Sequence, residues 1–448
     1  MSDTVLISRS IGETRLALIE DGRPVQLAHL RDTGPVRPGA VFRARVRALG
    51  KGFAFLDLGA GLEAVLPVRD KAPEEGALIT VQISALPAAT DAAKRPIARK
   101  RLALVGRAVV AEPGRRVGLD AGFVGDGASL IKALTGIAEH GRLTVKPAAL
   151  TLPIEAVRTE AAALVQTVSA LKADSGPPAL LLDAPDPVQL ALTDFATARV
   201  SRILADRRAD LRRAHGLHAT LALDGLDTEH WTGPEPMFEA FGVEEAIERA
   251  LAPALDLPGG GSLGVDQTRG GAVIDVDQHA LDGISLQSNR LALNLEAAHA
   301  AAHQIRLQDL AGQIFVDFVD LKALADWDRV LQRLDQSLAR DPRRPKRHQV
   351  RAAGLVIVNR ARRGPSLRDT LLTPWRAELS PLSRALALLR RAQRHAATDP
   401  RPGTLVLTDA EPVIAVLRAH EDLVTELSDA AGRSVCLSTG PLAHVETH

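Results

Sequence analysis

Two short stretches with a helix between them decide the fold: Gly-Ala-Val-Ile-Asp-Val-Asp at 271–277 and Ile-Phe-Val-Asp-Phe-Val-Asp at 314–320. Both stretches have the apolar character of β-strands, and the segment at about 291–310, which stops before Gly312, predicts a helix. A strand–helix–strand unit is expected to be right-handed, with its two strands parallel. The sequence therefore predicts an α/β domain in which both strands lie in one sheet.

Each of these strands carries a carboxylate near its carboxyl end, where open α/β sheets place ligands. Asp275 and Asp277 face the same side of their strand. Asp317 lies within an apolar run, where burial costs free energy unless the charge is paired or bound to a metal. Oxygen ligands without cysteine favour a hard cation, Mg²⁺ or Mn²⁺. The alternative is a structural carboxylate that caps a loop or pairs with Arg290 or Arg306.

The intervening helix carries a polar face formed by Glu296, His299, His303 and Arg306. Two His four residues apart can bind zinc, but the zinc-protease pattern requires Glu where this chain has Ala300. We expect a solvated helix face rather than a metal site. A phosphate-cradling P-loop is also absent from the sequence, which argues against nucleotide hydrolysis of that type.

Residues 36–105 contain short strands separated by glycine turns. This spacing is typical of a five-stranded oligonucleotide-binding (OB) barrel. Phe53 and Phe55 share a parity and therefore point to the same side of their strand. They are either core residues or an exposed platform on which nucleobases stack.

The composition is that of an ordinary globular chain of several domains, with 448 residues, 46% apolar and 24% charged. The net charge of +1 neither favours nor excludes a nucleic-acid partner, but basic residues concentrate at 94–101 and 343–363. Each run is either a solvated surface or a nucleic-acid contact. Cys436 is the single cysteine, which excludes a disulfide within the chain. Without an apolar run of about 20 residues or a recognisable signal peptide, we expect a cytoplasmic protein with no membrane partner.

The remaining segments predict further α/β structure. In chain order they are a helix at 154–172, a buried strand at 180–182, a long helical region at 186–214, a strand at 218–223, a helix at 243–251, a basic helix at 373–395 and a small α/β segment at 403–440.

A dense series of motifs runs through 258–321: Gly260-Gly261-Ser262-Leu263, Val265-Asp266-Gln267-Thr268, the stretch 272–277, Asn294-Leu295-Glu296-Ala297-Ala298, Gln304-Ile305-Arg306-Leu307, Asp309-Leu310-Ala311-Gly312 and the stretch 314–321. In order and spacing these motifs resemble the catalytic core of the ribonuclease E/G family. The resemblance extends, more weakly, over the rest of the chain.

The resemblance implies an α/β multidomain chain. An RNase-H-like fold would be interrupted by an OB-type RNA-binding barrel and followed by an α/β nuclease domain and a small α/β terminal domain. The implied boundaries are 1–34 and 180–257 for the two parts of the RNase-H-like fold, 35–105 for the barrel, 106–179 for a 5′-end-sensor-like domain, 258–372 for the metal-dependent nuclease domain and 373–448 for the small domain.

The resemblance also implies a Mg²⁺-dependent endoribonuclease that cleaves single-stranded RNA in RNA processing or decay, with Mn²⁺ as a second candidate ion. Asp275 and Asp317 map onto the family's metal-binding pair, and Asp277 is a third candidate catalytic carboxylate. The ion would contact a scissile phosphate oxygen and generate a hydroxide for in-line attack, leaving a 5′-phosphate. The implied RNA-binding residues are Phe55, Lys94, Lys146, Arg360 and Arg362.

Four departures from the family pattern bear on activity. Asp277 stands where the family usually has Asn, and Val65 replaces a second barrel aromatic, which should weaken stacking. Lys146-Pro147 replaces an Arg-Thr pair. The two zinc-linking cysteines that commonly follow the nuclease domain are missing, so we expect no structural zinc and a monomer or a zinc-independent dimer. The second hypothesis is therefore an RNA-binding paralogue with reduced or no catalysis.

The Lys146-Pro147 departure predicts little preference for 5′-monophosphorylated RNA. Lysine attracts phosphate as a point charge but lacks the bidentate fork of arginine, and proline offers neither a hydroxyl nor an N–H. We expect similar cleavage rates on matched oligonucleotides that carry a 5′-hydroxyl or a 5′-monophosphate. A large rate ratio in favour of the monophosphate would count against this prediction.

Overall fold

The fold combines strands rich in Val, Ile and Leu with helices that have one apolar face. The computed structural model describes residues 3–31, 36–68, 72–86, 95–173, 176–218, 220–268, 270–278, 287–350, 355–373 and 378–448. The strands there are β1 (Asp3–Ser10), β2 (Glu13–Glu20), β3 (Arg23–Arg31), β4 (Val41–Gly50), β5 (Phe53–Gly59), β6 (Leu62–Pro67), β7 (Leu78–Ala85), β8 (Ile97–Arg99), β9 (Leu104–Val105), β10 (Val109–Glu112), β11 (Arg116–Leu119), β12 (Arg142–Val145), β13 (Ala179–Leu182), β14 (Val200–Ala205), β15 (Asp227–His230), β16 (Ala254–Leu257), β17 (Gly261–Gln267), β18 (Gly271–Gln278), β19 (Gly312–Asp317), β20 (Lys346–Val350), β21 (Leu355–Arg360), β22 (Leu405–Asp409), β23 (Val435–Thr439) and β24 (His444–Thr447).

The helices of the same ranges are α1 (Ala128–Leu134), α2 (Ile154–Ala173), α3 (Pro187–Leu190), α4 (Arg208–Leu217), α5 (Met237–Ala240), α6 (Val243–Leu251), α7 (Gln287–Leu307), α8 (Leu324–Leu338), α9 (Leu367–Leu371), α10 (Pro381–Thr398), α11 (Glu411–Ala419) and α12 (Glu421–Ala431). None of these helices combines the length and the apolar character that crossing a membrane requires. The chain divides into two compact units. The first contains Ala17–Leu27 and Gly233–Arg368, and the second contains Ser2–Leu16, Ala28–Thr232 and Asp369–His448.

The first unit is built on a six-stranded sheet of order β16-β17-β18-β19-β21-β20. β18 and β19 pair in parallel, and α7 forms the crossover between them. Apolar side chains of β18 and β19 alternate into a core shared with α7 and α8. The predicted strand–helix–strand unit is therefore confirmed, although β19 ends at Asp317 rather than at 320.

Gly271 begins β18 because no side chain fits there. A Cβ atom on Gly271 would lie 2.0 Å from the carbonyl oxygen of Gln313 on the paired strand. A contact this short cannot be relieved by moving a flexible side chain, since the Gln313 atoms that the Cβ would meet are backbone. The close approach at Gly271 helps fix the register that aligns the ends of β18 and β19.

The second unit contains a closed five-stranded barrel. Its strands follow the order β4-β5-β6-β8-β7, and β7 pairs again with β4 to close it. Phe42, Leu56 and Ile83 are buried inside. The predicted five-stranded barrel is confirmed, while its assignment as an OB fold stays a prediction. β13 adds to β4 at the edge of this sheet, which confirms the strand predicted at 180–182. Leu180 is 49% exposed, so the prediction that this strand is buried is wrong.

Parallel pairing joins the N-terminal strand of the second unit to strands far along the sequence. β14 lies between β1 and β15 and pairs in parallel with both. This pairing interrupts the helical region predicted at 186–214, because Val200–Ala205 becomes β14. The strand predicted at 218–223 is also wrong, since α4 reaches Leu217 and the next strand is Asp227–His230. Tertiary pairing overrides local preference at both places.

Two smaller sheets complete the second unit. α2 packs against the sheet β11-β12-β10-β9, which confirms the helix predicted at 154–172. The buried Glu160 of α2 accepts hydrogen bonds from the backbone N–H groups of Ala108 (2.8 Å) and Ala222 (2.9 Å). The sheet β23-β22-β24 packs with α10, α11 and α12, which confirms the small α/β segment predicted near the C-terminus.

Candidate active site

Three carboxylates lie on the face of the six-stranded sheet that is opposite α7 and α8, called the open face below. Asp275 of β18 and Asp317 of β19 are direct partners in the parallel register, so their backbones are about 4.8 Å apart. Asp277 lies two residues further along β18, on the same face, and all three side chains are exposed. The structure thus brings together the Asp pair that the sequence singled out.

Asp317 is exposed although it lies within an apolar run of the sequence. Strand alternation sends Ile314 and Val316 into the helix-covered core and turns Asp317 outward. The carboxylate is therefore available to a ligand from solvent. Its place in an apolar run reflects a strand with one buried face rather than a charge paired in the interior.

The surroundings of Asp275 disfavour the charged form of its carboxyl group. Desolvation by the surrounding sheet, followed by the negative charges of Asp277 and Asp317, raises the pKa of the Asp275 carboxyl above its ordinary value. Like charges directly opposite each other in a sheet are destabilising. A divalent cation between Asp275 and Asp317 would remove this repulsion, so the donor chemistry of the pair fits a metal ion.

Two adjacent carboxylates are a donor set that is common in magnesium sites. Within the described ranges, no three His, Cys, Asp or Glu residues are arranged so that together they could hold a metal. Mg²⁺ is commonly held by one or two carboxylates together with waters and substrate phosphates. Asp275 and Asp317 therefore suit a magnesium ion that completes its shell with water and a phosphate.

Asn294 of α7 fixes the chain directly after the Asp317 strand. Its buried amide donates a hydrogen bond to the carbonyl oxygen of Val319 (2.7 Å) and accepts one from the Val319 N–H (3.1 Å). Both backbone groups follow Asp317 by two residues. In the sequence, Asn294 is distinguished only as the first residue of the motif at 294–298. The sequence hints at its role only in that a polar residue occupies a helix position where the periodic pattern has apolar residues.

The Asn294 contacts predict a positioning role. We expect Asn294→Ala to lower kcat by about tenfold with little change in KM, because each buried backbone group left unsatisfied costs about 1–3 kcal/mol and the strand end shifts. Steady-state kinetics on an RNA oligonucleotide would measure this. Gln304→Ala is the matched control, since the buried Gln304 amide oxygen accepts a hydrogen bond from the Gln308 side chain (3.0 Å), directly after the end of α7. Equal kcat losses in both variants would contradict the positioning role.

The polar face of α7 is packed rather than solvated, so that expectation is wrong for most of its members. Arg306 is buried and forms an ion pair with Glu20 (2.8 Å). The His303 ring contacts the Pro24 carbonyl oxygen (2.8 Å), and burial lowers the pKa of His303. Glu296 accepts a hydrogen bond from the Gly259 N–H (2.8 Å), and His299 alone is exposed.

Arg360 lies at the opposite end of β19 from the carboxylates. It is the register partner of Gly312, and the five residue-to-residue steps from Gly312 to Asp317 span about 17 Å. Its guanidinium is buried and donates to Asp341 (2.6 Å) and Asp309 (2.5 Å). The predicted RNA contact at Arg360 is therefore corrected to a structural ion-pair network. A buried guanidinium is not open to a phosphate.

Other members of the basic run 343–363 are also engaged within the first unit. Arg343 pairs with Asp309 (2.6 Å) and Arg347 with Asp335 (2.7 Å). Arg362 is exposed and donates to the Ala311 carbonyl (3.4 Å), at the same strand end as Arg360. Among the described residues of the run, these arginines are thus engaged in contacts within the protein rather than forming a plain solvated face.

The barrel of the second unit exposes the aromatic side chains of Phe53 and Phe55. Phe53 is 46% and Phe55 37% exposed, which favours the platform over the core interpretation. The Arg95 guanidinium lies 5.6 Å from the centre of the Phe55 ring and forms an ion pair with Glu63 (2.5 Å). Val65, the register partner of Phe55, is half-buried. Lys94, predicted to contact RNA, lies outside the described residues.

Lys146 is directed into the fold rather than toward solvent. Its ammonium donates to the carbonyl oxygens of Gly106 (2.8 Å) and Thr193 (2.6 Å). Pro147 begins a short 3₁₀ helix directly after it. The prediction that Lys146 contacts a phosphate therefore has no support from its placement, which agrees with the expectation of a weak 5′-end preference.

Comparison with known proteins gives a consistent set of relatives. The sequence profile of the Ribonuclease E/G family matches residues 104–363. Ribonuclease E of Nostoc sp. (strain PCC 7120 / SAG 25.82 / UTEX 2576) is 30% identical over 320 residues, which are 66% of this chain and 44% of that protein. Ribonuclease G of Escherichia coli (strain K12) is 34% identical over 185 residues, 41% of this chain and 38% of that protein. Ribonuclease E of Escherichia coli (strain K12) is 26% identical over 391 residues, 80% of this chain and 36% of that protein. The matches thus span less than half of each relative's length.

Proposed function

The chain belongs to the ribonuclease E/G family, and from that premise we propose that it is a Mg²⁺-dependent endoribonuclease that cleaves single-stranded RNA. The observation that carries the proposal is the parallel register of Asp275 and Asp317, which places two exposed carboxylates side by side on the open face. Curated relatives named Ribonuclease E and Ribonuclease G support RNA as the substrate class.

The roles of the chain's own residues follow from their positions. Asp275 and Asp317 would hold Mg²⁺, and Asn294 keeps the end of β19 in place through Val319. When bound, the ion supplies Lewis-acid stabilisation of phosphate charge and an activated water. Asp277 adds a third negative charge beside the pair, which raises cation affinity and opposes the approach of a phosphate.

The barrel would supply affinity for unpaired RNA. Exposed aromatic rings bind bases by stacking, and the Arg95 guanidinium, 5.6 Å from the centre of the Phe55 ring, would attract the phosphate backbone. We expect Phe55→Ala to weaken binding of a single-stranded oligoribonucleotide by about tenfold, measured by fluorescence anisotropy at fixed salt. Val124→Ala, which removes a highly exposed apolar side chain outside the barrel, is the control. Unchanged affinity in Phe55→Ala would exclude the platform.

The direct test of the proposed function is cleavage of a single-stranded, AU-rich oligoribonucleotide by the purified chain, with Mg²⁺ and with EDTA. We expect internal cuts that require the metal. Binding without cleavage in both Mg²⁺ and Mn²⁺ would instead support the RNA-binding paralogue. The departures at Asp277, Val65 and Lys146 favour that second candidate.

A further inference from the structure

A second row of side chains crosses the open face next to the carboxylates. The register pairs Val273 with Phe315, Phe315 with Ile357, and Ile357 with His348, one on each of four adjacent strands. These four residues, called the stacking row, share the strand parity of Asp275 and Asp317. Val273 is 38% exposed, Phe315 and Ile357 are half-buried, and His348 is exposed.

A row of polar side chains follows the stacking row on its other side. Gln313, Asn359 and Lys346 are register partners on β19, β21 and β20, and all three are exposed. Each row is two residues from the next along a strand, a distance of about 7 Å. The open face thus presents carboxylates, then an apolar and aromatic surface, then amides and an ammonium.

The chemistry of the three rows fits an unpaired nucleotide. A nucleobase has a flat apolar face that stacks on aromatic side chains and polar edges that amides can hydrogen-bond. A phosphate carries the charge that a cation at the carboxylates and the Lys346 ammonium both attract. An apolar protein partner would instead bury Asp275, Asp277 and Asp317 without compensation, which is costly.

We propose that the stacking row binds the base of a nucleotide adjacent to the scissile phosphate, with Phe315 as its main contact. This inference rests on the proposed function, because it takes the Asp275–Asp317 pair as the place of the scissile phosphate. The base lies on Phe315, one row from the carboxylates. The amides of Gln313 and Asn359 lie in the next row along the strands, where they can reach the polar edge of the base.

A double-mutant cycle between protein and RNA tests the contact. The wild type and Phe315→Leu are each assayed for kcat/KM in Mg²⁺ on an intact oligoribonucleotide and on versions with one abasic nucleotide at each position around the cut. Phe315→Leu keeps an apolar side chain on the strand and removes the aromatic face. Leu324→Ala, which truncates an exposed apolar side chain at the start of α8, is the control.

We expect one abasic position next to the cut to lower the wild-type kcat/KM by about tenfold. Phe315→Leu should show the same loss on intact RNA and no additional loss at that abasic position. Phe315→Trp should restore the rate. The proposal would be overturned if the loss from Phe315→Leu multiplied with the loss from the abasic nucleotide at every position, or if Phe315→Leu caused no loss of kcat/KM. Neither result would argue against RNA cleavage as the proposed function.

Photo-crosslinking separates this inference from the proposed function. RNA carrying single 5-iodouridines is crosslinked to Asp317→Asn protein, so that the readout needs no turnover. We expect crosslinks in the peptide that contains Phe315. A wild type that fails to cleave in Mg²⁺ but crosslinks there would refute the proposed catalysis and keep the base contact. Crosslinks confined to the barrel peptides would overturn the base contact.

Discussion

Asp317→Asn should reduce RNA cleavage by about 10³-fold or more while leaving the affinity for RNA within about twofold. The substitution keeps the size of the side chain but removes one of two adjacent charges that would hold the metal, and a bound cation contributes several kcal/mol of transition-state stabilisation. Affinity should persist because Phe53 and Phe55 lie on the separate barrel. Single-turnover cleavage and anisotropy binding measure the two effects. Asp275→Asn should behave in the same way.

Asp256→Asn is the matched control for this prediction. Asp256 is an exposed carboxylate on β16 at the edge of the same sheet, so the variant removes an equal charge away from the pair. Its cleavage rate should remain within about twofold of wild type. Loss of activity in Asp256→Asn, or normal activity in Asp317→Asn, would contradict the assignment of the metal site.

Arg360→Met should destabilise the first unit strongly. The guanidinium is buried between Asp309 and Asp341, and removing one partner of a buried ion pair costs about 3–5 kcal/mol. The loss should appear locally, because Arg360 ends β21 and pairs with the beginning of β19. We expect hydrogen-exchange protection of the β19 and β21 amides to fall by about 10²-fold or more.

Arg362→Met provides the comparison for Arg360→Met. Arg362 is exposed at the same strand end, so its loss should change protection by less than about threefold. An RNA-contact role for Arg360 predicts the reverse pattern, in which Arg360→Met keeps wild-type protection and loses affinity for RNA. That result would support an RNA contact at Arg360, which the burial of its guanidinium between Asp309 and Asp341 argues against.

Local sequence patterns were sufficient for the strand–helix–strand unit and the carboxylate pair. Strand parity predicted that Asp275 and Asp277 share a face, and the crossover rule predicted the parallel pairing that makes Asp317 the neighbour of Asp275. Short strands and glycine turns predicted the five-stranded barrel, and the period of two predicted that Phe53 and Phe55 share a side of their strand. Parity alone did not decide whether that side faces the core or solvent, and the structure shows both rings exposed.

Features that depend on distant partners were not predictable from one sequence. Arg360 looks like any exposed arginine of a basic run until Asp309 and Asp341 are placed around it. Lys146 and Arg306 were likewise misjudged, because their partners lie many residues away. Helical propensity also failed at β14, where pairing with β1 decides the structure.

The most direct test of the metal site is a sulfur substitution at the scissile phosphate. Mg²⁺ binds sulfur poorly, whereas the softer Mn²⁺ tolerates it. The substrate is a single-stranded RNA with one phosphorothioate at the cleavage position. In Mg²⁺ the wild-type protein should cut this RNA slowly, and Mn²⁺ should restore the rate. The Asp317→Asn variant should show no such rescue. Equal rates in Mg²⁺ on the oxygen and sulfur substrates, or cleavage that persists in EDTA, would contradict a metal held by Asp275 and Asp317 at the scissile phosphate.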